Sequence, residues 1–320
     1  MKCPTCQGEN PEGAEYCQYC GSKFVRVCSS CSTTNPVSYV FCGECGHRLE
    51  VEKETHKTEV TMAQKPVKET IQQPPPAVKW EEATRAPIRI STGIQGLDPL
   101  IGGGFLANKV YLVSGEAGVG KTIFGLQFIY NGLILGEGCI YATADEKATH
   151  IFNDAQSLGW DFAKYVEAKK LAIMDISSRF ADLRAGKGKH IDTREMVNDF
   201  TKQVKAVGAC RLVIDPVAPA IYGEQSAVFV QEHIRNLILE VEDNLQCTIL
   251  ITSDILAGNL GLSRYGVEEF VTEGVIVLGM NKQDGHRVRA LSVRKMRGTD
   301  ADIQDHAFQI ITQRGIVLDK

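Results

Sequence analysis

Residues 109–132, KVYLVSGEAGVGKTIFGLQFIYNG, decide how the rest of the chain is read. The first seven form an apolar run ending on glycine, and helical periodicity runs from Thr122 to Leu135. Between them lies Gly115-x4-Gly120-Lys121-Thr122, the spacing of a phosphate-binding Walker A loop, in the strand–loop–helix context that makes it informative. Glycines at 115, 118 and 120 let the loop wrap so that its amides point at phosphates, beside the positive end of a helix. Gly115, Glu116, Ala117, Gly118, Val119, Gly120, Lys121, Thr122 and Ile123 form the expected nucleotide cradle. Lys121 is expected to reach the β- and γ-phosphates of ATP, and the Thr122 hydroxyl to bind Mg²⁺.

Outward from this loop, short apolar runs recur at 138–144, 171–177, 211–217 and 247–253. Helical stretches near 147–158, 192–208 and 226–245 separate them. Strands alternating with helices predict an α/β fold, a mostly parallel central sheet covered on both faces. Runs at 274–281, 288–296 and 307–318 follow without intervening helices, which predicts an antiparallel extension at the sheet edge.

RLVIDPV (211–217) places Asp215 at the end of an apolar strand, where a Walker B carboxylate holds Mg²⁺. Ser253 and Asp254 end the run CTILITSD and are candidates for a polar sensor near the γ-phosphate, with ordinary loop residues as the competing reading. Asp145 and Glu146 follow GCIYATA. That strand is expected to lie next to the P-loop strand, which puts the pair close enough to position water. Taken alone, an acidic pair opening a helix is equally explained as a complement to the helix dipole.

The N-terminus has a different chemistry. Cys3-x2-Cys6 and Cys17-x2-Cys20 are echoed by Cys28-x2-Cys31 and Cys42-x2-Cys45, with Asn10-Pro11 matching Asn35-Pro36. Two CxxC knuckles complete a tetrahedral thiolate site, so the module is expected to hold two Zn²⁺ ions. His47 is a bystander on this reading. The module resembles a double zinc ribbon over residues 1–48, a closed structural site that would serve as an interaction module for a protein partner. Residues 49–85 are charged, carry Pro and Gln, and lack apolar periodicity, so a flexible linker is expected, with Trp80 exposed in it. Cys139, Cys210 and Cys247 sit in or beside apolar runs and read as small buried hydrophobes.

The 320 residues carry a net charge of −4, which gives no overall attraction to nucleic acid. The sequence shows neither a secretory h-region nor an apolar run long enough to span a bilayer, and the cysteine usage fits a reducing cytoplasm.

From about Ile88 onward the chain resembles the KaiC family of RecA-like ATPases. RISTGIQGLDPLIGGGF (89–105), the loop and helix at 115–132, SLGWD (157–161), RYGVEEFV (264–271) and RKMRGTD (294–300) carry the likeness. The resemblance implies a RecA-like P-loop NTPase core over 86–320 and a homo-oligomer, a hexameric ring with ATP bound between subunits. It implies that Asp145 and Glu146 form the catalytic acidic pair, with Glu146 activating water. Lys295 and Arg297 then act in trans as arginine-finger equivalents. The chain departs from the family pattern at Asp145, Pro216, Ala301 and Gln313, which bears on turnover more than on binding. Two other functions compete. One is a RadA-like DNA recombination or repair ATPase, with Arg287, Arg289, Arg294, Lys295 and Arg297 as the alternative nucleic-acid track. The other is a nucleotide-dependent scaffold without turnover.

Overall fold

The computed structural model describes residues 8–10, 25–31, 33–36, 41–49, 87–180, 193–217, 227–256, 261–283 and 285–319. The chain divides into two compact units, residues 1–77 and 78–320. Cys3, Cys6, Cys17, Cys20, Trp80 and nearly all of the 49–85 stretch lie outside the described residues.

In the small unit, β1 (Val25–Val27) pairs antiparallel with β2 (Thr34–Pro36). Asn35 explains the repeated Asn-Pro. Its amide donates to the Thr33 carbonyl at 2.9 Å and to Cys42 Sγ at 3.4 Å, while its oxygen accepts from Gly43 N at 2.9 Å. Asn10 repeats the first of these contacts, donating to the Gly8 carbonyl at 2.8 Å. Leu49, expected to open the linker, is buried against Cys28 and Cys42.

In the large unit, β3 (Arg89–Ile90) and β4 (Phe105–Leu106) form a small ribbon around α1 (Leu97–Leu100). The main elements follow: β5 (Val110–Gly115), α2 (Lys121–Ile134), β6 (Gly138–Thr143), α3 (Ala148–Ser157), α4 (Ala163–Glu167) and β7 (Leu171–Asp175). Next come α5 (Thr193–Val207), β8 (Ala209–Asp215), α6 (Ala227–Asn244), β9 (Thr248–Asp254) and the one-turn α7 (Glu268–Val271). Last are β10 (Gly274–Gln283), β11 (His286–Met296), β12 (Asp305–Ile311) and β13 (Gly315–Leu318).

Nine strands form one sheet in the order β13-β12-β11-β10-β5-β9-β8-β6-β7. From β10 to β7 every pairing is parallel, and β11, β12 and β13 add the antiparallel edge. The α/β fold with an antiparallel extension is therefore as expected. The run 307–318, expected as one strand, is a hairpin. Gln313, at φ 66, sits in its turn and gives its amide to the Leu158 carbonyl at 2.8 Å.

One face of the sheet packs under α2 and α3 through Phe124, Phe128, Ile151 and Trp160, and the other under α5 and α6 through Phe200, Ile234 and Ile238. α2 packs against the sheet, its edge strand β13 included, and even Gln127 is buried. Its amide donates to the Gly93, Arg314 and Ile316 carbonyls at 2.8, 3.0 and 3.2 Å. Of the scattered cysteines, Cys139 and Cys247 are fully buried, whereas Cys210 is only half-buried. Burial pushes the Cys247 thiol up to about 12, which keeps it inert.

Candidate functional site

The P-loop leaves β5 at Gly115, where a Cβ would come 2.2 Å from the Leu278 carbonyl oxygen of the neighbouring strand. Only glycine lets the loop turn this close to the sheet. Gly120 caps α2 at φ 117, in the left-handed region, so the helix begins at Lys121 with its free amides facing the loop. Glu116, Ala117 and Gly118 are exposed at the tip while Val119 is buried as its anchor.

Thr122 donates its hydroxyl to Asp215 Oδ2 at 2.9 Å, bringing the two candidate magnesium ligands together. Two further hydroxyls converge on the same carboxylate. Tyr141 donates to Oδ2 at 2.5 Å, and Thr252 donates to Oδ1. Burial first, and then the Asp215 charge, raise the Tyr141 phenol well above its ordinary value, so it remains a donor. Sequence reading missed Tyr141 and Thr252, because both sit inside ordinary apolar runs. A threonine hydroxyl and a carboxylate are hard oxygen donors and suit Mg²⁺, which when bound would neutralise charge on transferring phosphates.

Asp145 and Glu146 do reach this site, but not by the expected route. β6 does not neighbour β5; β9 and β8 lie between them. The carboxylates arrive because the chain leaves the same end of the sheet as Asp215, with the Ala144 amide bonded to the Asp215 carbonyl at 3.0 Å. Thr143 then fixes the turn, donating to the Glu146 carbonyl at 2.8 Å and accepting from its amide at 3.1 Å. The acidic pair is not a helix cap: Lys147 occupies that position, and the first turn of α3 holds no acid. A cavity of about 220 Å³ is lined by Gly118, Lys121, Asp145, Glu146, Asp215 and Asp254, among others. Burial, then the charges of Asp154 and Asp215, raise the Glu146 carboxyl above the ordinary range, the direction that suits a proton acceptor near neutrality.

Asp254 pairs with Lys121 at 2.9 Å and with Arg264 at 3.2 Å. Burial would raise its carboxyl, but the hydrogen bond and charge of Lys121, together with Arg264, outweigh it and hold the group below the usual range. Ser253 corrects the sensor expectation. It is buried and donates to Glu268 Oε1 at 2.9 Å, because alternation along β9 points it away from Asp254.

Lys295 and Arg297 lie elsewhere. Lys295 pairs with Val275, which is level with Leu112, and the Arg297 amide bonds to Glu273, whose own amide bonds to Val110 at 2.8 Å. Arg297 is thus level with the start of β5 while the P-loop leaves its far end, about 16 Å away along the strand at the usual rise. Lys295 Nζ instead donates to the carbonyls of Glu269, Phe270 and Thr272 at 2.9, 3.3 and 2.6 Å, and Arg297 to that of Phe270 at 3.1 Å.

In the ribbon, the thiols of Cys28, Cys31, Cys42 and Cys45 all lie within 4.8 Å of one another. Amides of Cys45 and Glu44 draw the Cys42 thiol down to about 6. The His47 amide also pulls Cys45 down, but Cys31, burial, Cys28 and Cys42 outweigh it and push that thiol up to about 12. Four thiols this close cannot all ionise without a cation between them, so the donor set fits zinc and leaves His47 outside it.

The fold and this site define a P-loop ATPase domain of the RecA-like class, joined to a zinc ribbon. The profile of the KaiC ATPase family matches residues 90–320, and that of the double zinc ribbon matches residues 3–46. The chain belongs to the KaiC ATPase family. It is 34% identical to a UPF0273 protein of Thermotoga maritima over 238 residues, covering 72% of this chain and 95% of that one. It is 31% identical to the circadian clock oscillator protein KaiC of Synechococcus elongatus, of which the match takes up 43%. The crystal structure of KaiC-like protein PH0186 from Pyrococcus horikoshii superposes with a TM-score of 0.63 and 32% identity, over 73% of this chain and all of that one. Among the described residues, no helix is long and apolar enough to cross a membrane.

Proposed function

We propose that the protein is an oligomeric, ATP-hydrolysing regulatory ATPase whose zinc ribbons dock a partner protein. The P-loop residues 115–123 hold the phosphates, and Thr122 and Asp215 hold Mg²⁺. Glu146, assisted by Asp145, takes the proton from a water attacking the γ-phosphoryl group, and Lys121 stabilises the charge that develops. Lys295 and Arg297 complete the site of the next subunit in a ring, a hexamer on the family resemblance. Each ribbon half, Cys3 to Cys20 and Cys28 to Cys45, binds one zinc ion. The ribbon at 1–48, the linker at 49–85 and the ATPase domain at 86–320 act as separate parts, in the cytoplasm.

The observation that carries this reading is the cavity where Lys121, Thr122, Glu146 and Asp215 meet. The trans assignment is supported by register: Lys295 and Arg297 sit too far along the sheet to serve their own P-loop. Steady-state hydrolysis is the test. Glu146→Gln is expected to cut turnover by about 10²-fold or more, the usual weight of a positioned base, while ATP still binds. Assembly is followed by light scattering with and without ATP and Mg²⁺. A monomer that hydrolyses ATP at the full rate would overturn the trans assignment.

A further inference from the structure

Glu268 is a carboxylate with no part in the site described above, and it is completely buried. A carboxylate is costly to bury unless its oxygens are hydrogen-bonded, and here they are. Oε1 accepts from Ser253, the penultimate residue of β9, at 2.9 Å. Oε2 accepts from the Val267 amide at 3.1 Å and shares the Ser263 hydroxyl, 2.8 Å away, with Glu269 Oε2. The side chain therefore pins three things at one point: the end of β9, the loop before α7, and the start of α7 itself.

What α7 presents at its other end gives this pin a consequence. The carbonyls of Glu269, Phe270 and Thr272 are those that receive Lys295, and Phe270 also receives Arg297. Burial and the nearby Arg297 lower the Lys295 ammonium from its ordinary value, which fits a cation drawn partly out of water onto these carbonyls. Because α7 is a single turn of four residues, it has little stability of its own. Its position, and with it the aim of Lys295 and Arg297, depends on what anchors it. Phe270 is 68% exposed, and while Val267 and Val271 pack against the core, Glu268 supplies the polar hold at the N-terminal end.

We propose that Glu268 is a positioning residue for hydrolysis in the neighbouring subunit: it fixes α7 so that Lys295 and Arg297 are aimed at the next P-loop. This rests on the trans reading given above. The competing role is service to its own P-loop, since Ser253 adjoins Asp254, the partner of Lys121.

Mixed rings separate the two. Glu268→Gln keeps the shape of the side chain but replaces one accepting oxygen with a donating amide turned toward donors, so turnover is expected to fall by about tenfold to a hundredfold, the range for a small misplacement of a catalytic group. ATP affinity in the presence of Mg²⁺ is expected to stay unchanged. Co-expression with Glu146→Gln subunits, which cannot hydrolyse but carry an intact Lys295 and Arg297, is expected to restore activity above the sum of the two variants alone. In randomly mixed rings about a quarter of interfaces pair a sound P-loop with a sound donor. Lys295→Ala mixed with Glu146→Gln is the reference. If the reference recovers and the Glu268→Gln mixture does not, or if Glu268→Gln alone is fully active, the positioning role is overturned. If the reference itself fails to recover, the trans reading falls. Ser263→Ala, which removes one hydroxyl from the same pin, covers the case of a Glu268 variant that does not fold; it should show the same recovery with a smaller initial loss.

Discussion

At the scale of single residues the site is organised by two carboxylates in contrasting surroundings. Asp215 accepts from the hydroxyls of Thr122, Tyr141 and Thr252, which fix both of its oxygens in place. Glu146 is governed instead by burial and two like charges, Asp154 and Asp215, all of which favour the protonated form. The two groups are thereby suited to different tasks, one to a metal and one to a proton. A pH effect follows. Glu146 acts as base only when ionised, so hydrolysis should fall as pH drops through its raised value, at a higher pH than an ordinary glutamate would allow. Asp154→Asn removes one of the charges, favours ionisation and should move the acid limb of the turnover–pH profile downward. A limb that stays in place, or moves upward, would mean that Glu146 is not the group being titrated.

At the scale of elements, one guanidinium joins four pieces of the large unit. Arg211, in β8, is fully buried and pairs with Glu137 just before β6. It also donates to the Ser91 carbonyl at 2.9 Å and to the Phe128 carbonyl in α2 at 3.1 Å, and lies 4.7 Å from the Phe128 ring centre. Losing one partner of such a pair leaves a charge in a poor environment. Glu137→Gln should therefore lower stability by about 2 kcal/mol, less than for a wholly buried pair because Glu137 remains partly in water. A urea midpoint unchanged from that of the parent protein would show that the carbonyl contacts suffice.

The same element scale shows what could be read from sequence. The strands were legible because each is a short apolar run closed by turn residues, and the P-loop because its ligands are contiguous. Strand order was not: β6 was expected beside β5, but in a parallel sheet the neighbours are chosen by crossovers packing over long distances, which no local pattern records. The β12–β13 turn was hidden because Gln313 adopts a positive φ without being glycine. Tyr141, Thr252 and Glu268 acquire their partners from strand neighbours and from a loop, so their roles become visible only once the sheet is assembled.

At the scale of the whole molecule, the question is what the ribbon contributes to the ATPase. The Thermotoga maritima relative is matched over 95% of its length by a segment making up 72% of this chain, so a domain of this kind exists at nearly that size. The large unit has its own two cores, one on each face of a nine-stranded sheet. The described ribbon half has a buried cluster of just Cys28, Cys42 and Leu49, too little apolar surface to order a chain without metal. Two independent sources of stability imply two independent losses. A chain cut to residues 86–320 should fold, bind ATP and hydrolyse it within about twofold of the full-length rate, since separately folded parts that share no partners contribute additively. A strong zinc chelator added to the full chain should release metal and unfold the ribbon while leaving hydrolysis equally intact. If truncation instead collapses turnover but leaves ATP binding, the ribbon is part of the catalytic assembly, and its docking role would have to be sought within the ring rather than on a separate partner.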